Sequence, residues 1–153
     1  GVSVGALYHH FADKAALHEA LYLELTERFQ TEFLAELRSH SSAEVGVKAG
    51  VAFYLGWVSR HRAGARVLLG HRPPSPRLSE LNRAFLGAVR AWWDTHAHYG
   101  ALRRLPLDLI HSLWFGPAHE YTRQWLDDNR KRLPSATAKL LAEVAWESLK
   151  EPA

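Results

Sequence analysis

The chain has 153 residues, of which 47% are hydrophobic and 23% charged, with a formal net charge of +3. This is enough for one domain with a real core, in the ordinary composition of a globular protein. It contains no cysteine, which excludes disulfides and thiolate metal sites and fits a reducing cytoplasm, the expected location. No apolar run approaches the roughly 20 residues of a membrane-spanning helix, so no membrane partner is expected. A charge this small permits nucleic-acid binding without arguing for it, because a basic patch must be local to matter.

Nothing reads as a strand. Helical periodicity runs nearly throughout, so the expected fold class is all-α, a bundle of about seven helices. The first stretch, Gly1 to Ala15, reads as a tight turn, a very short helix, a second turn and the start of a long helix. Ser3 suits an N-cap, and Leu7 and Phe11 share one face. Tyr8, His9 and His10 fall mainly off that face. Asp13 caps the next helix, where its charge suits the positive helix start.

The first long helix is expected from about Lys14 to about Arg38, with an apolar stripe of Leu17, Leu21, Leu25, Phe29, Phe33 and Leu37. It spans roughly 36 Å, enough to join a small head to a separate body. Ser41 with Glu44 gives a capping-box signature for the next helix, about Ala43 to Arg62. That helix is apolar nearly all round, as central helices of bundles are. Ala63 to Gly70 reads as a short helix, and the three prolines of His71 to Pro76 make a rigid loop. A helix from Pro76 to His98 ends at Tyr99-Gly100. The next begins near Pro106 and runs to about Asp128, with Gly116-Pro117 expected to kink it. Asn129 to Arg132 is a charged connector, and the last helix spans about Ser135 to Leu149.

Aromatic residues crowd the middle of the chain, interleaved with polar ones. A small-molecule site needs apolar walls with a few polar groups. The candidate pocket residues are Phe53, Trp57, Arg60, His61, Trp92, His96, Trp114 and Glu120. For self-association, Gly116, Ala118, Ala142 and Ala145 allow close helix approach, with Tyr121, Trp125 and Leu149 as large anchors. The ten histidines fall in no metal-ligand spacing. His96 and His98 face different sides of a helix. His111 and His119 share a face but, eight residues apart, are expected to lie too far apart for one ion. No nucleophile elbow surrounds Ser112, Asp108 or His111. No metal, cofactor or catalytic residue is therefore expected, and the chain does not read as an enzyme.

The run Gly1-Val2-Ser3-Val4-Gly5-Ala6-Leu7-Tyr8-His9-His10-Phe11-Ala12-Asp13-Lys14 closely resembles the recognition helix of the TetR family of bacterial transcription regulators. Leu109 to Tyr121, with Gly116-Pro117, looks like the penultimate helix of many members. The helix preceding the turn of that motif lies before Gly1, so an N-terminally incomplete regulator is expected. The resemblance implies two units: residues 1–20 as the C-terminal part of a helix-turn-helix, and residues 21–153 as an effector-binding and dimerisation body. It implies a homodimer whose recognition helices read two half-sites of a palindromic operator. Ser3, Val4, Gly5 and Ala6 would then meet base edges. Tyr8 and His9 or His10 would contact phosphates or base edges, and Lys14 a phosphate from the next helix start. The implied function is a repressor released by a small apolar or aromatic effector. Two alternatives stay open at this level: a ligand-binding helical dimer without DNA binding, and an enzyme built on a helical bundle.

Overall fold

The computed structural model describes residues 13–128 and 133–152. Six helices lie among them: α1 Lys14–Arg38, α2 Ala43–Arg60, α3 Arg62–Leu68, α4 Pro76–His98, α5 Leu107–Asp127 and α6 Ser135–Leu149. The all-α expectation holds. The short helix expected within residues 3–11 and the connector Asn129 to Arg132 lie outside the described residues. The expected unit boundary after residue 20 falls inside α1, which is one continuous helix.

Local chemistry sets most helix ends. Asp13 Oδ1 accepts from the Ala16 amide at 2.8 Å, relieving one orphan donor of α1. Ser75 does the same for α4, accepting from the Leu78 amide at 3.3 Å, with Pro76 in the first turn. At the other end of α4, Gly100 adopts φ 73°. The amides of Gly100 and Ala101 reach back to the carbonyls of Ala97 and His96, the pair of bonds that closes a helix through a left-handed residue. Two expectations need correcting. The capping box does not form: Ser42 is the N-cap of α2 and makes no side-chain cap bond. Glu44 bonds Lys48 instead, and Lys48 also reaches Glu143 on α6. Pro106 is the N-cap of α5 rather than a first-turn residue, and α5 continues as one helix through Pro117.

Helix α2 is central. It packs against α1, α3, α5 and α6, and Val47, Val51, Tyr54, Leu55, Trp57 and Val58 are all buried. Gly46 permits one close approach: a Cβ there would lie 2.5 Å from the ring of Trp92 on α4. The Trp114 indole on α5 donates to the Val47 carbonyl at 2.9 Å, pinning α5 to α2. The C-terminal segment closes the bundle. Arg103 and Glu151 amides bond the carbonyls of Leu149 and Ala101, so Leu102 and Leu149 are fully enclosed.

The buried face of α1 differs from the expected stripe. Leu21 is 41% exposed, whereas Tyr22, Thr26 and Gln30 are buried beside Phe33 and Leu37. The reason is that two of these three have polar partners on other helices, and the third bonds back within α1. Tyr22 donates its hydroxyl to the Leu68 carbonyl at 3.2 Å, and Gln30 donates to Asn82 on α4 at 2.6 Å. Thr26 returns its hydroxyl to the carbonyl of Tyr22. Among the described residues no helix is long and apolar enough to cross a membrane.

Candidate functional site

A cavity of about 200 Å³ lies between α1, α2, α3 and α5. Phe29 supplies the α1 wall, Tyr54, Trp57 and Val58 the α2 wall, Ala65, Leu68 and Leu69 the α3 side, and His111 and His119 the α5 side. A smaller hollow of about 60 Å³ continues past Phe33, Phe85 and Phe115, sharing Phe29, Tyr54 and both histidines. Edge-to-face ring contacts frame it. Phe29 meets Trp57 with centroids 5.2 Å apart at 86°, and Tyr54 meets His119 at 4.7 Å.

The polar groups of this site are few and perturbed. Burial pushes the Tyr54 phenol up to about 12, partly opposed by the Thr122 hydroxyl and by Arg123. Tyr54 lies beside Thr122 without closing a hydrogen bond to it. The Trp57 indole N–H is buried and has no partner in the protein. Leaving such a donor unmade costs on the order of 1–3 kcal/mol. Burial pushes His119 down to about 4, with His111 and Arg123 adding repulsion. His111 stands at the solvent edge, and partial burial of its ring lowers it in the same direction. Both rings are therefore neutral near pH 7. Their centroids are 5.4 Å apart, closer than the eight-residue spacing suggests, because both lean on Phe115. Among the described residues no three His, Cys, Asp or Glu side chains converge on a point.

The expected pocket residues are not brought together. Of the eight, Trp57 alone lines the cavity. Phe53 packs behind it, against Phe29 and Phe33. His61 terminates α2 with its ring against Trp57 and its Nδ1 2.9 Å from the Trp57 carbonyl. Arg28 lies 3.1 Å from His61 Nε2, and since guanidinium only donates, Nε2 accepts and Nδ1 carries the proton. Arg60 is exposed, and Glu120 is exposed and bonded to Gln124. Trp92, His96 and Trp114 form a separate ring cluster near the N-terminal half of α2, where burial lowers His96. Phe29, Tyr54, His111 and His119 line the cavity although none is among the eight expected residues. The available signal was the shared face of His111 and His119 and the i, i+3 pair Tyr54 and Trp57.

The expected dimer residues divide as well. Ala118, Trp125, Ala142, Ala145 and Leu149 are buried within one chain, because α5 and α6 turn their small-residue face inward onto α2 and each other. They are therefore unavailable to a second copy. Tyr121 is half-buried, and the space beside Gly116 is open. What α5 and α6 leave uncovered is Leu109, Leu140 and Val144. Of the expected DNA contacts, Lys14 is exposed in the first turn of α1, and Ser3, Val4, Gly5, Ala6, Tyr8, His9 and His10 lie outside the described residues. A larger depression of about 460 Å³ beside His98, Arg103, Arg104 and Glu151 is polar and mixed in charge.

These features define an all-α bundle around an aromatic cavity, with one long helix leading from the cavity wall towards the N-terminus. This is the fold of TetR-family transcription regulators. A regulator of that family from Marinobacter aquaeolei VT8 matches with a TM-score of 0.79 at 14% identity, over 97% of this chain and 78% of that one. A structure from Shewanella sp. PV-4 bearing the same family designation matches with a TM-score of 0.74 at 19% identity, over 99% and 83%. In sequence, the nucleoid occlusion factor SlmA of Glaesserella parasuis is 34% identical over 71 residues, 46% of this chain. The chain spans 35% of the length of that curated relative. No family model matches the chain.

Proposed function

We propose that the chain is a TetR-family DNA-binding transcription regulator, a repressor whose effector is a small apolar or aromatic molecule. In this reading residues 1–20 belong to the helix-turn-helix head and residues 21–153 form the effector-binding and dimerisation body. Ser3, Val4, Gly5 and Ala6 read bases, while Tyr8, His9, His10 and Lys14 hold the backbone. The supporting observation is the course of α1: it starts at Lys14, beside the recognition-like stretch, and carries Phe29 in the cavity wall.

The same helix offers the route of transmission. Leu68 lines the cavity with its side chain and accepts Tyr22 of α1 with its carbonyl. Arg28 of α1 meets His61 at the α2–α3 junction. A ligand that parts Phe29 from α3 strains these ties and re-aims the N-terminal end of α1. The ligand acts only through a difference in affinity between the two arrangements. In the homodimer, the uncovered faces of α5 and α6 meet their counterparts, setting the spacing of the two heads.

The test is fluorescence anisotropy of the native gene product on DNA from its own upstream region, from about 50 to about 200 mM salt. Preference for one palindrome over scrambled DNA, with a steep salt slope, is expected. Uniform weak binding to every sequence overturns the regulator reading and favours a ligand-binding dimer without DNA.

A further inference from the structure

We propose that His111 and His119 on α5 are the two protein ligands of a divalent transition-metal site, zinc foremost, in the wall of the cavity. The site goes beyond the regulator reading and does not depend on it.

Placement is the first ground. Residues eight apart on a helix lie about 12 Å apart along its axis. These two ring centroids nevertheless stand only 5.4 Å apart. Phe115 lies 5.9 Å from each. The three distances make a nearly equilateral triangle, so Phe115 stands beside the histidine pair and not between them. A metal held about 2.0–2.1 Å from an imidazole nitrogen lies roughly 3.2 Å from that ring's centroid, and two rings at the tetrahedral angle then stand roughly 5.2 Å apart. The observed 5.4 Å meets that requirement.

Availability is the second ground. Among the described residues neither ring has a hydrogen bond or an ion pair, and the ring nitrogens of His119 stay open to water. His111 is exposed. With no bond to fix its flip, each ring can turn about its Cβ–Cγ axis and place a nitrogen on either edge. Burial lowers both histidines, so both rings are neutral near pH 7, the form that ligates.

Donor chemistry selects the ion. Imidazole suits zinc, nickel and copper, whereas magnesium and calcium want oxygen ligands. No carboxylate lines either hollow, and Arg123 repels positive charge at His119. The ion is therefore held by nitrogen bonding and not by charge. Structural zinc takes four protein ligands and catalytic zinc three. Two make an exchangeable site, with the remaining positions left for water or for donor atoms of a small molecule in the cavity.

The test is calorimetric titration of the full, chelator-stripped chain near neutral pH with Zn(II) alone, and with Mg(II) as control. One Zn(II) site is expected that His111→Asn and His119→Asn each weaken at least tenfold, the double variant losing no more than either single one. His98→Asn, at an exposed histidine elsewhere, should change this site little. Equal Zn(II) binding in the unaltered chain and both variants overturns the proposal, as does Mg(II) bound as tightly as Zn(II). Neither ring makes a hydrogen bond, so the substitutions remove none. Should either variant fail to fold, Co(II) added to the unaltered chain decides instead. It should broaden the NMR signals of the Phe115 and Tyr54 rings ahead of those of Leu149 on α6, and broadening of Leu149 first, or of neither ring, overturns the proposal. No DNA and no organic ligand enter these measurements, so their failure leaves the regulator reading intact.

Discussion

The hydroxyl of Tyr22 donates to the carbonyl of Leu68 across 3.2 Å, tying the first half of α1 to the end of α3 over 46 residues of sequence. Burial raises the Tyr22 phenol, opposed by Arg72, so it stays a neutral donor. Because the Leu68 side chain faces the cavity, one residue touches both the ligand space and the long helix. Tyr22→Phe removes the bond and little else. It should cost about 1 kcal/mol, a fall of roughly 2–4 °C in melting midpoint for a chain of this size. It should also shrink the effect of a bound aromatic on DNA affinity while leaving ligand affinity nearly unchanged. A variant that loses ligand binding as well would make Tyr22 part of the pocket rather than of the link.

Helix ends were legible because their causes are local. Asp13, Ser75 and Gly100 each act within a few residues, and the helices Lys14–Arg38, Pro76–His98 and Ser135–Leu149 lie where periodicity and caps put them. The buried face of α1 was not legible. Gln30 is buried through Asn82, 52 residues away, and apolar periodicity is blind to such a bond. The site was half legible for a similar reason. Aromatic density marks α2 as a wall, but nothing local says which side of α2 each ring takes. The Trp114 indole is drawn to the Val47 carbonyl 67 residues away, leaving Trp114 and Trp92 in a separate stack from Trp57.

Acidification should destabilise the fold through His119. Its value falls from 6.5 to about 4 in the folded chain because of burial. Between those values the unfolded chain binds more protons than the folded one, so stability rises with pH there and is lost as pH drops from about 6.5 towards 4. The loss from this one group has an upper bound of about 3 kcal/mol. His111 and His96, lowered by burial, act in the same direction. Denaturant midpoints measured across this range should fall steadily for the unaltered chain and more gently for His119→Gln. An equal slope in both would remove His119 as the titrating group.

Two glycines on helices should respond in opposite directions to alanine. At Gly87, exposed in the middle of α4, an added Cβ meets nothing within 4 Å. Only helix propensity acts, and Gly87→Ala should stabilise by about 0.5–1 kcal/mol. At Gly46 the Cβ would stand 2.5 Å from Trp92. That ring is packed between His96, tilted against it at 4.3 Å, and Trp114, stacked at 5.9 Å, which limits the directions in which it can yield. Gly46→Ala should lose about 1–3 kcal/mol despite the same gain in propensity. Paired urea titrations check both signs at once.

Self-association should depend on the outer face of α6 and not on its small residues. Leu140 is 63% exposed and Val144 43%, while Ala142 and Ala145 on the same helix are buried against the bundle. A charge at an exposed site away from any cap or network changes the fold by less than about 0.5 kcal/mol. In a dimer interface the same charge would be buried without a partner. Leu140→Glu should therefore keep the melting curve of the isolated chain at low concentration and weaken the dimer at least tenfold, about 1.4 kcal/mol. Light scattering after size exclusion, over a dilution series, gives the readout. Leu86→Glu on α4, where Leu86 is 37% exposed, serves as the control and should leave the dimer intact. Equal dimerisation of both variants would move the interface away from α6, and loss of the dimer in Leu86→Glu would place it on α4.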